Sequence, residues 1–347
     1  MPLLDIRDLR VYFRGEDKLS RAVDGIDLVV RAGEIVGLVG ESGCGKSVSA
    51  MAVPGLVEQP PAEIRSGKIL FQGRNLIGLP EEELRSLRGR QIGMVFQEPM
   101  TSLNPLFTIG DQIGETIRTH EQASRQEIRQ RVLKLLSDVE IASPAERLDD
   151  YPHNLSGGQR QRVMIAMALA CRPSLVIADE PTTALDVTVQ AAILRLLRKF
   201  QHQLGTAILL ITHNLGVVAE IADRVVVMYA GIIVESGSVA QIFHDPLHPY
   251  TMGLLAALPS RAKRGRPLYS IPGSVPDPAF KPPGCPFHPR CPYCQESCLR
   301  DPPPMCDFSH DHQARCPITH TLWKKDRLAG SPARLHPPRD LERLVRP

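Results

Sequence analysis

The chain has little net charge, no long apolar run and no leader-like start. Its 41 Lys plus Arg nearly balance 38 Asp plus Glu, a formal charge of +3 over 347 residues. That excludes a basic protein that coats duplex nucleic acid, and with 43% hydrophobic residues it also excludes a disordered, charge-rich chain. No stretch approaches the ~18 consecutive apolar residues of a membrane-spanning helix. The best run, Ala207 to Ile211, is cut by Thr212, His213 and Asn214. The start, Met1-Pro-Leu-Leu-Asp-Ile-Arg-Asp, carries acids where a secretory leader has a positive end and an apolar run, which predicts a cytoplasmic, reducing compartment. The length exceeds what one hydrophobic core usually serves, so a large domain with a smaller companion is expected.

Cysteine and proline are unevenly placed. Cys44 and Cys171 stand alone, whereas Cys285, Cys291, Cys294, Cys298, Cys306 and Cys316 fall within 32 residues. In a reducing compartment such a cluster reads as a metal or iron–sulfur site before it reads as disulfides. Twenty of the 31 prolines lie from Pro246 onward. The last 87 residues hold 15 Lys plus Arg against 8 Asp plus Glu, and the first 260 hold 26 against 30. The boundary is therefore placed near residue 260, giving domains 1–260 and 261–347. The tail's positive charges are dispersed, so they read as a solvated face rather than a lipid-binding patch.

The run Ile35-Val-Gly-Leu-Val39 reads as a short buried strand. It leads into Gly40-Glu-Ser42-Gly43-Cys44-Gly45-Lys46-Ser47, which matches GxxxxGK[ST] at every fixed position. Glycines let backbone amides converge on a phosphate, Lys46 reaches the β- and γ-phosphates, and Ser47 can hold Mg²⁺ at the start of the next helix. Cys44 contributes mainly its backbone amide. A second buried strand, Ser174 to Ala178, ends in Asp179 and Glu180. Beside the first strand this places Asp179 to meet Mg²⁺ and Glu180 to accept a proton from an attacking water.

Between these elements lies Asn154-Leu-Ser156-Gly157-Gly158-Gln159-Arg160, followed by the apolar helical stretch Val163 to Ala170. Ser and two glycines at a helix start suit an anion. This LSGGQ segment resembles the signature of ABC-type ATPases, and with the P-loop and the Asp-Glu strand end the resemblance covers about residues 3 to 255. It implies an α/β fold: a P-loop ATPase with a RecA-like core, an antiparallel β subdomain and a helical subdomain of about 98–165, plus a small Pro/Cys-rich C-terminal domain. It also implies that two subunits sandwich two ATP molecules, each P-loop facing the other chain's signature.

Further positions carry over from the resemblance. Gln97, after Ile92 to Phe96, matches the glutamine that touches Mg²⁺ and the attacking water. Ala184, Leu185 and Asp186 match the loop that crosses the dimer interface, and His213 matches the histidine that contacts the γ-phosphate. Asn214 stands where Asp is common. Phe13 matches the aromatic that stacks on adenine, with Tyr12 beside it as the alternative.

Three segments narrow the resemblance to the peptide and nickel uptake branch: Glu98-Pro-Met-Thr-Ser-Leu-Asn-Pro105, Phe243-His-Asp-Pro-Leu-His-Pro-Tyr-Thr251, and the proline- and cysteine-rich tail. The nearest likeness is to the D-type ATP-binding subunit of dipeptide/oligopeptide importers. That implies ATP-driven import of di- or oligopeptides, with nickel, glutathione or another solute as the alternative. The expected partners are a second, distinct ATPase subunit, two transmembrane permease subunits and, indirectly, an extracytoplasmic solute-binding protein, with no nucleic acid. The subunit would sit peripherally on the cytoplasmic face of the membrane. Non-transport ABC ATPases share the ATP-site motifs but usually carry two cassettes or a long coiled-coil insertion, and neither is present here.

The spacing Cys285-x5-Cys291-x6-Cys298, with Cys316 further on, resembles the four-cysteine pattern associated with a [4Fe–4S] cluster in this branch. Cys294 and Cys306 are extra, and Cys291-x2-Cys294-x3-Cys298 is also a workable spacing. Zinc is the rival, with His288, His310 and His312 nearby. Cys171 reads as a small buried side chain.

Overall fold

The computed structural model describes residues 1–15, 18–98, 102–183, 185–258, 269–309 and 311–317. Ala184 and His310, named above, lie outside the described residues, as does the expected domain boundary near residue 260.

The chain opens with two long strands, β1 (Leu4–Arg14) and β2 (Leu19–Val30), joined as an antiparallel pair. With β4 (Ala62–Phe71) and β5 (Arg74–Asn75) they form a four-stranded antiparallel sheet of order β2-β1-β4-β5. Alternation of Leu4, Ile6, Leu9 and Val11 with charged residues buries one face and leaves the other in water. This is the expected β subdomain.

The second sheet has eight strands: β3 (Ile35–Val39), β6 (Ile92–Val95), β7 (Leu175–Asp179), β8 (Ala207–Thr212), β9 (Arg224–Tyr229), β10 (Ile232–Ser238), β11 (Cys306–Ser309) and β12 (His312–Ala314). Their order is β11-β12-β10-β9-β3-β8-β7-β6. The five strands from β9 to β6 are parallel, and β3, β7 and β8 are buried at every residue, which is why they read as unbroken apolar runs. Leu175, Ile177, Leu209 and Ile211 face the β subdomain, while Val176, Ala178, Ile208 and Leu210 face the helical side.

The first helix, α1 (Lys46–Ala52), follows β3, and α2 (Glu81–Leu87) precedes β6. A helical lobe follows β6: α3 (Ile109–His120), α4 (Arg125–Asp138), α5 (Pro144–Arg147) and α6 (Gly157–Leu169). In α3, Ile109, Ile113 and Ile117 recur every four residues and line one fully buried face. Thr108 caps this helix by accepting from the Asp111 amide, and Ser124 with Glu127 forms a capping box on α4. The long α7 (Val187–Leu204) and the short α8 (Leu215–Ile221), α9 (Val239–His244) and α10 (Pro249–Ala256) complete the cassette.

The tail does not stand off as a separate layer. Its hairpin β11–β12 extends the main sheet, with Glu235 opposite Ala314 and Ser236 opposite Gln313 across β10 and β12. A short helix, α11 (Ser297–Arg300), precedes the hairpin. Cys285, Phe287, Cys298 and Cys316 pack in one cluster with Tyr229, Tyr250 and Val234 of the cassette. Sequence reading gave no sign of this union, because a three-residue strand carries almost no pattern of its own.

Candidate functional site

The strand order brings the expected residues to one edge. β8 lies between β3 and β7, so the strand that ends in Asp179 is not directly beside the P-loop strand as its apolar run suggested; with β6 flanking β7, the turns after the carboxyl ends of these four parallel strands still share one crevice. The P-loop leaves β3, Asp179 ends β7, His213 follows β8, and Gln97 lies two residues beyond β6.

The P-loop packs tightly against its own framework. A Cβ on Gly40 would lie 2.2 Å from the Met228 carbonyl oxygen, and one on Gly45 would lie 2.3 Å from that of Ala22. Gly45 also holds φ +103, so only glycine fits there. Lys46 is buried, and its Nζ donates to the carbonyls of Gly40 (2.8 Å) and Glu41 (3.0 Å). Ser47 Oγ donates to Asp179 Oδ1 at 3.1 Å, so the two expected magnesium-holding groups already touch. Burial pushes the Asp179 carboxyl above its ordinary range, and the Ser47 hydroxyl opposes that shift. Cys44 is buried, and its thiol is pushed up by desolvation.

Glu180 is the hub of the crevice. Its carboxylate accepts from Thr183 Oγ1 (2.8 Å) and Gln97 Nε2 (3.4 Å), and His213 Nδ1 lies 3.0 Å from Oε1. Burial disfavours the charge, but the His213 and Thr183 contacts outweigh it and hold the carboxyl below its ordinary range. Glu180 takes a positive φ of 46 and donates its own amide to the Ile211 carbonyl, which fixes the turn that aims the side chain. Thr183 was not singled out in the sequence, because the second Thr of Pro181-Thr182-Thr183 carries no motif signal. Asn214 caps α8 by accepting from Gly216 N at 2.9 Å, a local task that needs no charge.

The signature lies elsewhere. Ser156 caps α6, its Oγ accepting from Gln159 N (3.3 Å) while Gln159 Oε1 accepts from Ser156 N (2.9 Å). Gly157 and Gly158 form the first turn of that helix. Among the described residues, these hydrogen bonds run between Ser156 and Gln159 and none reaches the P-loop. Asp186 caps α7 by accepting from Thr188 N and Val189 N, both at 3.0 Å, and Leu185 packs against the helical core. Phe13 is half-buried on the β subdomain, whereas the Tyr12 hydroxyl is committed to Asp24 at 2.6 Å. Phe13 is thus the freer of the two aromatics.

The four expected cysteines, Cys285, Cys291, Cys298 and Cys316, gather around one buried cluster. Burial raises the Cys285 thiol to about 11 and the Cys291 thiol to about 12, and the neighbouring thiols push both the same way. Cys294 is exposed at the edge of this group beside Cys298, and Cys306 sits apart with Leu247, Phe308 and Ala314. His312 Nε2 is engaged by the buried Glu235 carboxylate at 2.9 Å, and His288 Nδ1 lies 3.0 Å from the Cys285 carbonyl. Among the described residues, no three His, Cys, Asp or Glu side chains are close enough to hold a single metal ion.

A parallel sheet with a P-loop at its carboxyl edge, an acidic pair at the end of the next strand but one and a helical lobe define a P-loop nucleoside-triphosphatase core. Comparison with known proteins gives the same class in more detail. Residues 23–183 match the ABC transporter family, and residues 234–298 match the oligopeptide/dipeptide transporter C-terminal region. A putative peptide import ATP-binding protein of Brucella ovis is 52% identical over 326 residues, covering 91% of this chain and 96% of that protein. The dipeptide transport ATP-binding protein DppD of Escherichia coli is 50% identical over 316 residues, at 91% and 96% coverage. Among solved structures, the dimeric post-hydrolysis state of the ATP-binding cassette MJ0796 bound to ADP and Pi superposes with a TM-score of 0.62 at 27% identity, over 68% of this chain and 98% of that one. The cbiO1 protein of Clostridium perfringens, part of an ABC transporter complex, gives 0.60 at 28% identity, over 70% and 91%. The chain belongs to the ABC transporter ATP-binding family. No helix among the described residues is long and apolar enough to cross a membrane.

Proposed function

We propose that this ABC ATPase powers the import of di- or oligopeptides through a membrane permease, from the cytoplasmic face. The observation that carries the chemistry is the Glu180 hub, an ionised carboxylate held by His213, Thr183 and Gln97 beside the P-loop. The peptide assignment draws its support from relatives at about half identity that are named for peptide import.

In this reading the P-loop amides of Ser42, Gly43, Cys44 and Gly45 cradle the ATP phosphates, and Lys46 swings from the Gly40 and Glu41 carbonyls to the β- and γ-phosphates. Phe13 stacks on the adenine. Ser47, Asp179 and Gln97 hold Mg²⁺, which neutralises charge on the phosphates when bound. Glu180 orients the attacking water and accepts its proton, with His213 marking the γ-phosphate side. Ser156, Gly157, Gly158 and Gln159 of one subunit close over the nucleotide of the other, and Ala184, Leu185 and Asp186 cross between them. Partner subunits are a second ABC ATPase, two permeases and an external solute-binding protein, which would set the solute; nickel or glutathione would change none of the ATP chemistry.

The test is Glu180→Gln in the chain co-expressed with its permeases in liposomes. ATP binding should persist, turnover should fall by about a hundredfold or more, and uptake of labelled dipeptide should stop. Near-normal ATPase would remove Glu180 from the role of base, and ATPase without peptide uptake would move the solute assignment elsewhere.

For the tail, Cys285, Cys291, Cys298 and Cys316 are the thiols we assign to a [4Fe–4S] cluster. Their shared burial around one core suits a group that ties together a proline-rich segment. His312 is held by Glu235, which takes one of the three nearby histidines away from a rival zinc site. Anaerobic purification should return about four iron and four sulfide per chain, and zinc without sulfide would replace the cluster by a thiolate zinc site.

A further inference from the structure

The second residue of the P-loop is held by the C-terminal region. Arg290 closes a short 3₁₀ turn, His288–Arg290, immediately before Cys291. Its guanidinium grips Glu41 with both ends: Nη1 donates to Oε2 at 2.7 Å and Nη2 to Oε1 at 3.0 Å. Its Nε donates to the Pro272 carbonyl at 2.8 Å, and the side chain is only 4% exposed. The fork is therefore aimed from two directions and cannot turn away without stranding a charge out of water.

Glu41 is pinned at its backbone as well. Its amide donates to the hydroxyl of Tyr250 on α10 at 2.8 Å, and Tyr250 is wholly buried against Tyr229 and Phe287. Its carbonyl accepts from Lys46 Nζ. Glu41, whose carbonyl receives the P-loop lysine, is thus held by one contact from the cassette's last helix to its amide and two from the tail to its carboxylate. The charge pattern also bears on binding. A free carboxylate inside a loop that takes a polyanion would oppose it, and the bidentate partner neutralises that carboxylate where it stands.

We propose that Arg290, together with Tyr250, is a positioning residue for the ATP site, clamping the P-loop through Glu41 so that nucleotide affinity depends on the C-terminal region lying against it. This deepens the reading of the P-loop as the ATP site and rests on it. The clamp touches neither Glu180 nor the signature, so it acts on binding rather than on the chemical step.

The test is ATP affinity, measured by fluorescent-nucleotide titration of the full-length chain, with KM and kcat measured separately in the transporter complex. Arg290→Gln should weaken ATP binding by about tenfold or more and raise KM by the same factor, while kcat stays within about twofold. Adding Glu41→Gln to Arg290→Gln should recover most of the affinity, because the bare carboxylate is removed along with its partner. Arg290→Lys, which keeps the charge but loses the fork, and Tyr250→Phe, which removes only the hydroxyl, should each give smaller losses in the same direction. These two also carry the test if Arg290→Gln does not fold. Unchanged affinity in Arg290→Gln, or in both milder variants, would overturn the clamp. A fall in kcat at constant affinity would overturn it too, and a wild-type chain that binds no ATP would instead overturn the reading of the P-loop on which it rests.

Discussion

At the scale of single residues, the site depends on how one carboxylate is kept charged in a partly closed crevice. Burial alone would lift Glu180 toward the neutral form; the contacts from His213 and Thr183 reverse that. A folded carboxyl held below its unfolded value contributes stability that is present above about pH 4 and lost as pH falls through the lower folded value. In the role proposed for Glu180 the same sign governs turnover, since a general base must be ionised. Replacing Thr183 with Val removes one donor while keeping volume, so Glu180 should become easier to protonate. The acid limb of the ATPase pH profile should shift upward by up to about one unit, and turnover near neutral pH should change little. An unmoved acid limb would mean that the Thr183 hydroxyl does not set the Glu180 charge. The P-loop, the acids after β7, and His213 were legible in the sequence because their spacing is set by short loops at strand ends. Tyr250 and Arg290 were not, since their partner Glu41 is 209 and 249 positions away in the chain, and Thr183, only three residues from Glu180, was not because the turn that folds it back onto the carboxylate has no signature of its own.

At the scale of elements, capping and function coincide at α6. Ser156 and Gln159 form a capping box, the S-x-x-Q pattern that any helix start can use, and the same residues are assigned to the partner's nucleotide. The two roles separate under substitution. Asp caps a helix about as well as Ser, so Ser156→Asp should leave thermal stability within a few tenths of a kcal/mol. In the proposed dimer its carboxylate would nevertheless face the γ-phosphate, and ATPase should fall by about a hundredfold. Ser156→Ala should show the opposite balance, losing about 1 kcal/mol of stability with a milder effect on turnover. Parallel variation of melting temperature and ATPase across the two variants would show that the helix cap alone explains the residue. The helical lobe was expected only as a block, from the resemblance, while the caps at Thr108 and Ser124 and the isoleucine spacing that divide it into helices came from the structure. The hairpin β11–β12 was not expected, because what sets its register is the meeting of His312 with Glu235, 77 positions away in the chain.

At the scale of the whole molecule, the cassette and its tail share buried polar contacts that tie their stability to pH. Glu235 lies at zero exposure and accepts from Leu247 N (2.8 Å), His248 N (2.9 Å) and His312, so one carboxylate joins β10, the approach to α10 and the tail hairpin. His248 beside it is buried and caps α10, its Nδ1 accepting from Tyr250 N at 3.1 Å, which requires the unprotonated nitrogen. Burial first, and then the charge of Arg315, push the His248 pKa down from 6.5 to about 3. The unfolded chain therefore binds a proton that the folded chain refuses between those two values, and stability falls as pH drops through that window. His248→Asn keeps an acceptor for the Tyr250 amide but has nothing to protonate. Urea midpoints measured from pH 7 down to pH 4 should decline less steeply in the variant than in the wild type, with the two curves nearest in slope at the neutral end. Equal slopes throughout would show that other groups set the acid sensitivity. Because the folded chain keeps His248 unprotonated across that window, the Tyr250 contact to the Glu41 amide persists for as long as the chain is folded, so ATP affinity should vary with pH in the same way in the wild type and in His248→Asn; a loss confined to the wild type before unfolding would show that His248 takes its proton in the folded state.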